Sequence, residues 1–173
     1  MGGGDKPLLV AGGHTLLGHL QARLGPQVDW LAISANGDPD RFAAFGVPVL
    51  ADGLVGMGPL AGVLAGLDWA AGQGADVLVT VPGDTPLISD DLVRRLMPAP
   101  AFAASVGRMH WLVGLWPVTT RTMLRELLIS ASRGPRVSDY VRAIGARAVD
   151  LPPDSLDNVN TPDDLARLRA RLD

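Results

Sequence analysis

The chain has 173 residues, 47% hydrophobic and 19% charged, with a net charge of −3 and a pI near 5.5. That balance suits one globular domain with a sizeable core and excludes a disordered chain, and the absence of Cys removes disulfides, thiolate nucleophiles and Cys-based zinc sites. Four Trp, three Phe and one Tyr without a basic stripe argue against a nucleic-acid polymer, and no run reaches the roughly 18 apolar residues of a membrane helix or forms a charged-then-apolar leader, so a cytoplasmic protein is expected.

In chain order, the spacing first predicts a helix with Leu16, Leu17, Leu20 and Leu24 on one face, after Gly12-Gly13. Trp30 to Ala35 reads as a strand, stopped by Asn36-Gly37-Asp38-Pro39. A short helix, Asp40 to Phe45, leads to a strand over Val47 to Leu50. Leu60, Val63, Leu64, Leu67 and Ala71 then mark an amphipathic helix. The short apolar run Val77 to Val81 reads as a buried strand. Ser89 is the expected cap of the next helix, with Asp90 and Asp91 in its first turn. Ala101 to Val106 and Trp111 to Trp116 read as two strands around Gly107-Arg108-Met109-His110. Helices at Met123 to Leu128 and Val137 to Ile144 follow, then a strand over Ala146 to Leu151. Thr161-Pro162-Asp163-Asp164 predicts the start of a last helix, carrying Leu165, Leu168 and Leu172. Trp30, Trp69, Trp111 and Trp116 are expected in the core, and His14, His19 and His110 as structural or surface residues. Alternation of this kind predicts an α/β fold of three layers, a mostly parallel sheet with helices on both faces.

Several segments carry chemistry. Pro82-Gly83-Asp84-Thr85-Pro86 stops a strand and presents one carboxylate where open α/β sheets bind ligands. A lone carboxylate there suits Mg2+, which is held by one or two protein carboxylates plus substrate phosphates, and it also suits a turn cap. Gly2-Gly3-Gly4-Asp5-Lys6 offers backbone N–H groups and one ammonium to phosphate oxygens, although no Walker Gly-Lys-Ser/Thr follows. Asp52 follows a strand, and Gly58-Pro59-Leu60-Ala61-Gly62 opens a helix with residues small enough for a ligand or for tight packing. Ser34 and Asn36 share a direction at a strand end and suit a base, a ribose or an Asx turn. Asn158-Val159-Asn160 sets two amides at period two, fit to read a heteroaromatic ligand or to form a turn. Arg133 and Arg136 lie in a Gly-Pro loop as phosphate contacts or solvated surface. An acidic chain can still bind a nucleotide, because Mg2+ and backbone N–H groups neutralise phosphates.

Together, Met1-Gly2-Gly3-Gly4-Asp5-Lys6-Pro7-Leu8-Leu9, Ile33-Ser34-Ala35-Asn36, Val49-Leu50-Ala51-Asp52, Gly58 to Gly62, Pro82 to Pro86 and Asn158 to Leu165 resemble the molybdenum cofactor guanylyltransferases, MobA-like nucleotidyltransferases. The resemblance implies a Rossmann-like nucleotidyltransferase fold and transfer of GMP from GTP to the terminal phosphate of Mo-molybdopterin, with Mg2+ as cofactor. It implies that Gly3, Gly4 and Lys6 hold the nucleotide phosphates and that Asn36 and Asp52 contact the nucleoside. Asp84 would bind the metal, and Arg136, Asn158 and Asn160 the molybdopterin half. Transient contact with molybdenum cofactor enzymes is implied as well. The alternatives are a sister enzyme using CTP or another phosphorylated acceptor, and a non-catalytic nucleotide- or pterin-binding protein. The family loop opens Leu-Ala-Gly-Gly, and only its tail is matched here. Residues 1–173 are therefore expected to form a single nucleotidyltransferase domain that lacks the first strand and part of the Gly-rich loop, with the natural start upstream.

Overall fold

The computed structural model describes residues 6–54 and 56–172, which form three layers. Its main sheet has the order β5-β7-β6-β8, built from β5 (Val77–Thr80), β6 (Ala101–Ser105), β7 (Arg108–Pro117) and β8 (Arg147–Asp150). Strand β6 runs parallel to β8, and both β5 and β6 pair antiparallel to β7. Three strands thus share one direction and β7 alone opposes them. A separate parallel pair joins β3 (Ile33–Ser34) to β4 (Val49–Leu50). Near the N-terminus, β1 (Val10–Ala11) and β2 (His14–Thr15) form a small antiparallel ladder.

Strand periodicity splits the core into two faces. Ala101, Ala103, Val113 and Leu115, with Val77 and Val79, meet α1 (Leu16–Leu24) and α3 (Leu92–Leu96) on one side. Phe102, Trp116 and Leu78 face α2 (Pro59–Gly72), α4 (Arg121–Ser130) and α5 (Val137–Ala143) on the other. Within the second face, Trp116 is fully buried, and its indole N–H donates to Thr80 Oγ1 at 2.8 Å. Helix α6 (Pro162–Leu172) closes a third cluster, in which Leu168 and Val159 meet Leu16 and Ala11.

The ends of several elements differ from expectation for local reasons. Thr15 caps α1 through Gly18 N–H (3.0 Å), a role the sequence reading did not assign. Helix α3 begins at Leu92, two residues later than expected, so Asp90 and Asp91 precede it instead of lying in its first turn. Asp91 is engaged by Arg94 and Arg95 (2.6 Å to the latter), which hold its carboxyl below the usual range, the Arg95 bond contributing most. Asp40 to Phe45 is helical but of the tighter 3-10 kind, over Pro39–Phe45. Trp30 does not join the core: it is 49% exposed and lines a cavity of about 940 Å³. That cavity lies between residues 30–36, leading into and through β3, and residues 77–82, with Leu20 and Leu24 of α1 and Val63 and Gly66 of α2 also on its wall. Among the described residues, no backbone hydrogen bond joins β3 to β5 across it.

The β6–β7 hairpin is tighter than its sequence suggests. Ser105 pairs with Arg108, so Val106 and Gly107 alone form the turn, and residues 111–113 bulge where the register shifts. Both turn residues have positive φ, 48° and 74°. A two-residue turn of this hand matches the strand twist, but it strains a β-branched residue. Val106 is also 82% exposed, so nothing in the core holds it there. Val106→Asn is expected to stabilise the protein by about 1 kcal/mol, raising the thermal midpoint by roughly 2–4 °C. A melt followed by circular dichroism checks this; an unchanged or lower midpoint would show that Val106 is not strained.

No described helix is long and apolar enough to cross a membrane.

Candidate active site

Two turns far apart in sequence are tied together. The Val159 N–H donates to the Asp84 carbonyl at 2.9 Å, and the hydroxyl of fully buried Thr85 donates to Asn158 Oδ1 at 3.1 Å. Lys6 joins them by donating from Nζ to Asn160 Oδ1 at 3.1 Å. Pro7 packs on Gly83, where an added Cβ would sit 2.9 Å from the proline Cγ. Lys6, Asp84, Asn158 and Asn160 thereby occupy one locality, although 154 positions separate the first from the last. Thr85, which sequence reasoning passed over, holds Asn158 in place. Its signal was a hydroxyl one residue beyond the strand-end acid.

The start of α6 fixes the other end of the asparagine turn. The Thr161 hydroxyl accepts from Asp164 N–H (3.1 Å), and Asp164 Oδ2 accepts from the N–H groups of Thr161 (2.7 Å) and Asn160 (2.9 Å). This is a reciprocal capping box, with Asp in the place that Glu or Gln more often takes. Hydrogen bonding with the Thr161 side chain first, and then these two backbone N–H groups, hold the Asp164 carboxyl below the usual carboxylate range. Asn160 is thus held by its backbone while its side chain faces Lys6.

A second pair forms at the ends of β3 and β4. Asn36 Nδ2 donates to Asp52 Oδ2 at 2.9 Å, and the Asp52 N–H donates to Asn36 Oδ1 at 2.8 Å. The Asn36 side chain therefore reaches across to the neighbouring strand end instead of closing a local Asx turn. Gly62 of α2 approaches this pair closely: a Cβ there would lie 2.7 Å from Ser34 Oγ and 3.3 Å from Asp52 Oδ1. Only glycine lets the helix come so near, so tight packing alone accounts for this residue. Asn36 and Asp52 line the larger cavity, and Pro7 and Gly83 line it too, which makes the two localities neighbours.

A smaller cavity of about 500 Å³ lies on the asparagine side, lined by Asn158, Asn160, Arg108, Asp157 and Asp164 among others. Arg136 is on the wall of neither cavity. It precedes α5 in a loop whose Gly134 abuts the Met57 carbonyl just before α2, at 2.6 Å from an added Cβ. Gly3 and Gly4 lie outside the described residues.

The Asp84 carboxylate has no side-chain partner among the described residues, and it is half-buried on a turn held at its backbone. No group of three or more His, Cys, Asp or Glu suited to a metal occurs among the described residues. The arrangement fits a hard cation held by one protein carboxylate plus substrate oxygens, and not an all-protein cage.

Residues 1–148 match the MobA-like NTP transferase domain. The chain is 50% identical over 169 residues to the molybdenum cofactor guanylyltransferase of Acidiphilium cryptum, covering 95% of this chain and 85% of that protein. It is 46% identical over 187 residues to the protein of the same name from Mesorhizobium japonicum, covering 99% and 89%. Among solved structures, the 4-diphosphocytidyl-2C-methyl-D-erythritol synthase of Anaerococcus prevotii superposes with a TM-score of 0.75 at 11% identity, covering 98% of this chain and 94% of that one. The 2-C-methyl-D-erythritol 4-phosphate cytidylyltransferase of Thermus thermophilus gives 0.67 at 16% identity, covering 98% and 94%. At such identities these two structures speak to the fold alone.

Proposed function

The chain belongs to the MobA-like NTP transferase family, and from that premise we propose that it transfers GMP from GTP to the terminal phosphate of Mo-molybdopterin, giving molybdopterin guanine dinucleotide and pyrophosphate. The observation that carries the reading is the joining of Lys6, Asp84, Asn158 and Asn160 by hydrogen bonds between the two turns and the N-terminal lysine. An acceptor held at the amides and a triphosphate held at the lysine meet at that junction.

An oxygen of the acceptor phosphate attacks the α-phosphorus of GTP, and the bond to the departing pyrophosphate breaks. No covalent enzyme intermediate is required, so the residues contribute positioning and charge. Lys6 neutralises negative charge on the triphosphate and, through Asn160, is kept beside the acceptor. Asn36 and Asp52 hold the nucleoside; their reciprocal bonds keep both side chains at the strand ends before any ligand arrives. Asp84 would hold Mg2+, which when bound supplies further positive charge to the triphosphate and the leaving group. Asn158 and Asn160 contact the pterin half through donor and acceptor groups. Arg136, the residue before α5, acts on the same half from outside the walls of both cavities. GTP places the reaction in the cytoplasm, and the product passes to enzymes that carry the molybdenum cofactor.

Turnover with GTP and with CTP, each with Mo-molybdopterin and Mg2+, tests the reading. GTP is expected to give the dinucleotide at least about tenfold faster by kcat/KM. Faster turnover with CTP would assign the chain to the sister activity, and no product with either nucleotide would leave a binding protein.

A further inference from the structure

The smaller cavity carries more charge than the proposed function uses. Beside Asn158 and Asn160, its wall holds three guanidinium groups, those of Arg108, Arg167 and Arg171. Two of them have carboxylate partners in the same cavity: Arg167 pairs with Asp164, and Arg171 with Asp157 at 3.2 Å. Arg108 is exposed, and its guanidinium makes no hydrogen bond or ion pair among the described residues. Among the described residues, three cations stand against two anions on this cavity's wall, in a chain whose net charge is −3. The Lys6 ammonium at Asn160 adds to that excess.

The position of Arg108 is set by the backbone. It opens β7 opposite Ser105, directly after the two-residue turn, so its register does not drift with a long loop. His110, two residues on and facing the same way, offers it no counter-charge. Burial first, and the Arg108 charge next, push the His110 imidazole toward its neutral form, with Asp157 opposing them. The Asp157 carboxylate is itself engaged by Arg171.

We propose that Arg108 is a binding residue for the acceptor, its planar fork taking an oxyanion of the phosphorylated pterin at the cavity that Asn158 and Asn160 also line. A guanidinium offers two parallel N–H donors matched to a phosphate edge, which a point charge cannot do. Arg108 lines the cavity of the asparagines and not that of Asn36 and Asp52, so it acts on the acceptor and not on the nucleotide. The inference rests on the guanylyl-transfer reading and extends it to a residue on the β6–β7 hairpin.

The test compares the full chain with Arg108→Ala and Arg108→Lys. Initial rates are measured against Mo-molybdopterin and, separately, against GTP, and phosphorylated pterin is titrated calorimetrically without nucleotide. Arg108→Ala is expected to raise the acceptor KM and weaken pterin binding roughly 10- to 100-fold, with the GTP KM within about twofold. Arg108→Lys should recover only part of the loss, because it restores charge without the fork. Unchanged acceptor KM and pterin affinity in Arg108→Ala, or equal rises in both KM values, would overturn the assignment. If the unaltered chain binds phosphorylated pterin but transfers no GMP, the guanylyl-transfer reading fails, and loss of pterin binding in Arg108→Ala would still uphold Arg108 as the pterin contact.

Discussion

Asp84→Asn is expected to lower guanylyl transfer about a thousandfold or more, with the thermal midpoint within about 2 °C of the unaltered chain. The two halves of this expectation have separate causes. The Asp84 backbone carbonyl, which accepts from Val159, ties the turn to the asparagine segment and is untouched by the substitution. The carboxylate has no side-chain partner among the described residues, so replacing it by an isosteric amide removes no contact from the fold. What is lost is the anionic ligand of a divalent cation, and with it several kcal/mol of charge stabilisation in the transition state. Rates across a Mg2+ titration distinguish a weakened metal site from a damaged fold. Near-normal turnover at ordinary Mg2+ would show that Asp84 does not hold the metal.

The largest effect on stability is expected at Gly114. A Cβ there would lie 2.0 Å from Trp116 Cζ2 and 2.5 Å from Cη2, because the indole folds back over its own strand. The ring has nowhere to go. It is fully buried, its N–H is held by Thr80, and Thr80 in turn donates to the Leu112 carbonyl at 2.7 Å. Tyr140 packs beside it with ring centres 5.7 Å apart, and its hydroxyl is held by Thr120 at 2.6 Å. Gly114→Ala is therefore expected to cost about 3 kcal/mol, the upper end of overpacking, and to lower the thermal midpoint by roughly 6–12 °C. Adding Trp116→Leu should recover part of that loss, because the two changes share one contact and couple by about 1–3 kcal/mol. Thermal melts of the four proteins complete the cycle. A midpoint for Gly114→Ala within 2 °C of the parent would mean that the strand shifts freely here, and the indole is not the clamp described.

The strand-to-loop changes were legible in the sequence because each rests on neighbouring residues. Pro82 to Pro86 announces its turn by covalent restriction, and Thr161-Pro162-Asp163-Asp164 announces a helix start whose cap the structure completes with Asp164. The pairing of Ala101–Ser105 with β7 was visible in outline, but its turn was placed over Gly107 to His110, one residue late at its start and two residues too long. Gly107 is a turn signal at either place, and only the ladder between Ser105 and Arg108 decides which residues it joins. Trp30 shows the limit from the other side. Its apolarity suits a core, yet it lies beside a cavity edge that no local pattern encodes.

By itself the sequence determined the α/β alternation, the two-sided strands and the short motifs that carry carboxylate, amide and lysine groups, because periodicity, capping and turn chemistry act within a few residues. Tertiary structure alone decided which of those groups meet. Lys6 reaches Asn160 and Thr85 reaches Asn158 through hydrogen bonds spanning 154 and 73 positions, and Asn36 locks onto Asp52 across a parallel pair of strands. It also left Arg136 off the walls of both cavities and put Arg108, read from sequence as part of a turn, on the wall that the asparagines line. Contacts of that kind depend on how helices and strands pack once the core forms, and the information is spread over every residue that shapes the packing, with no single motif to carry it.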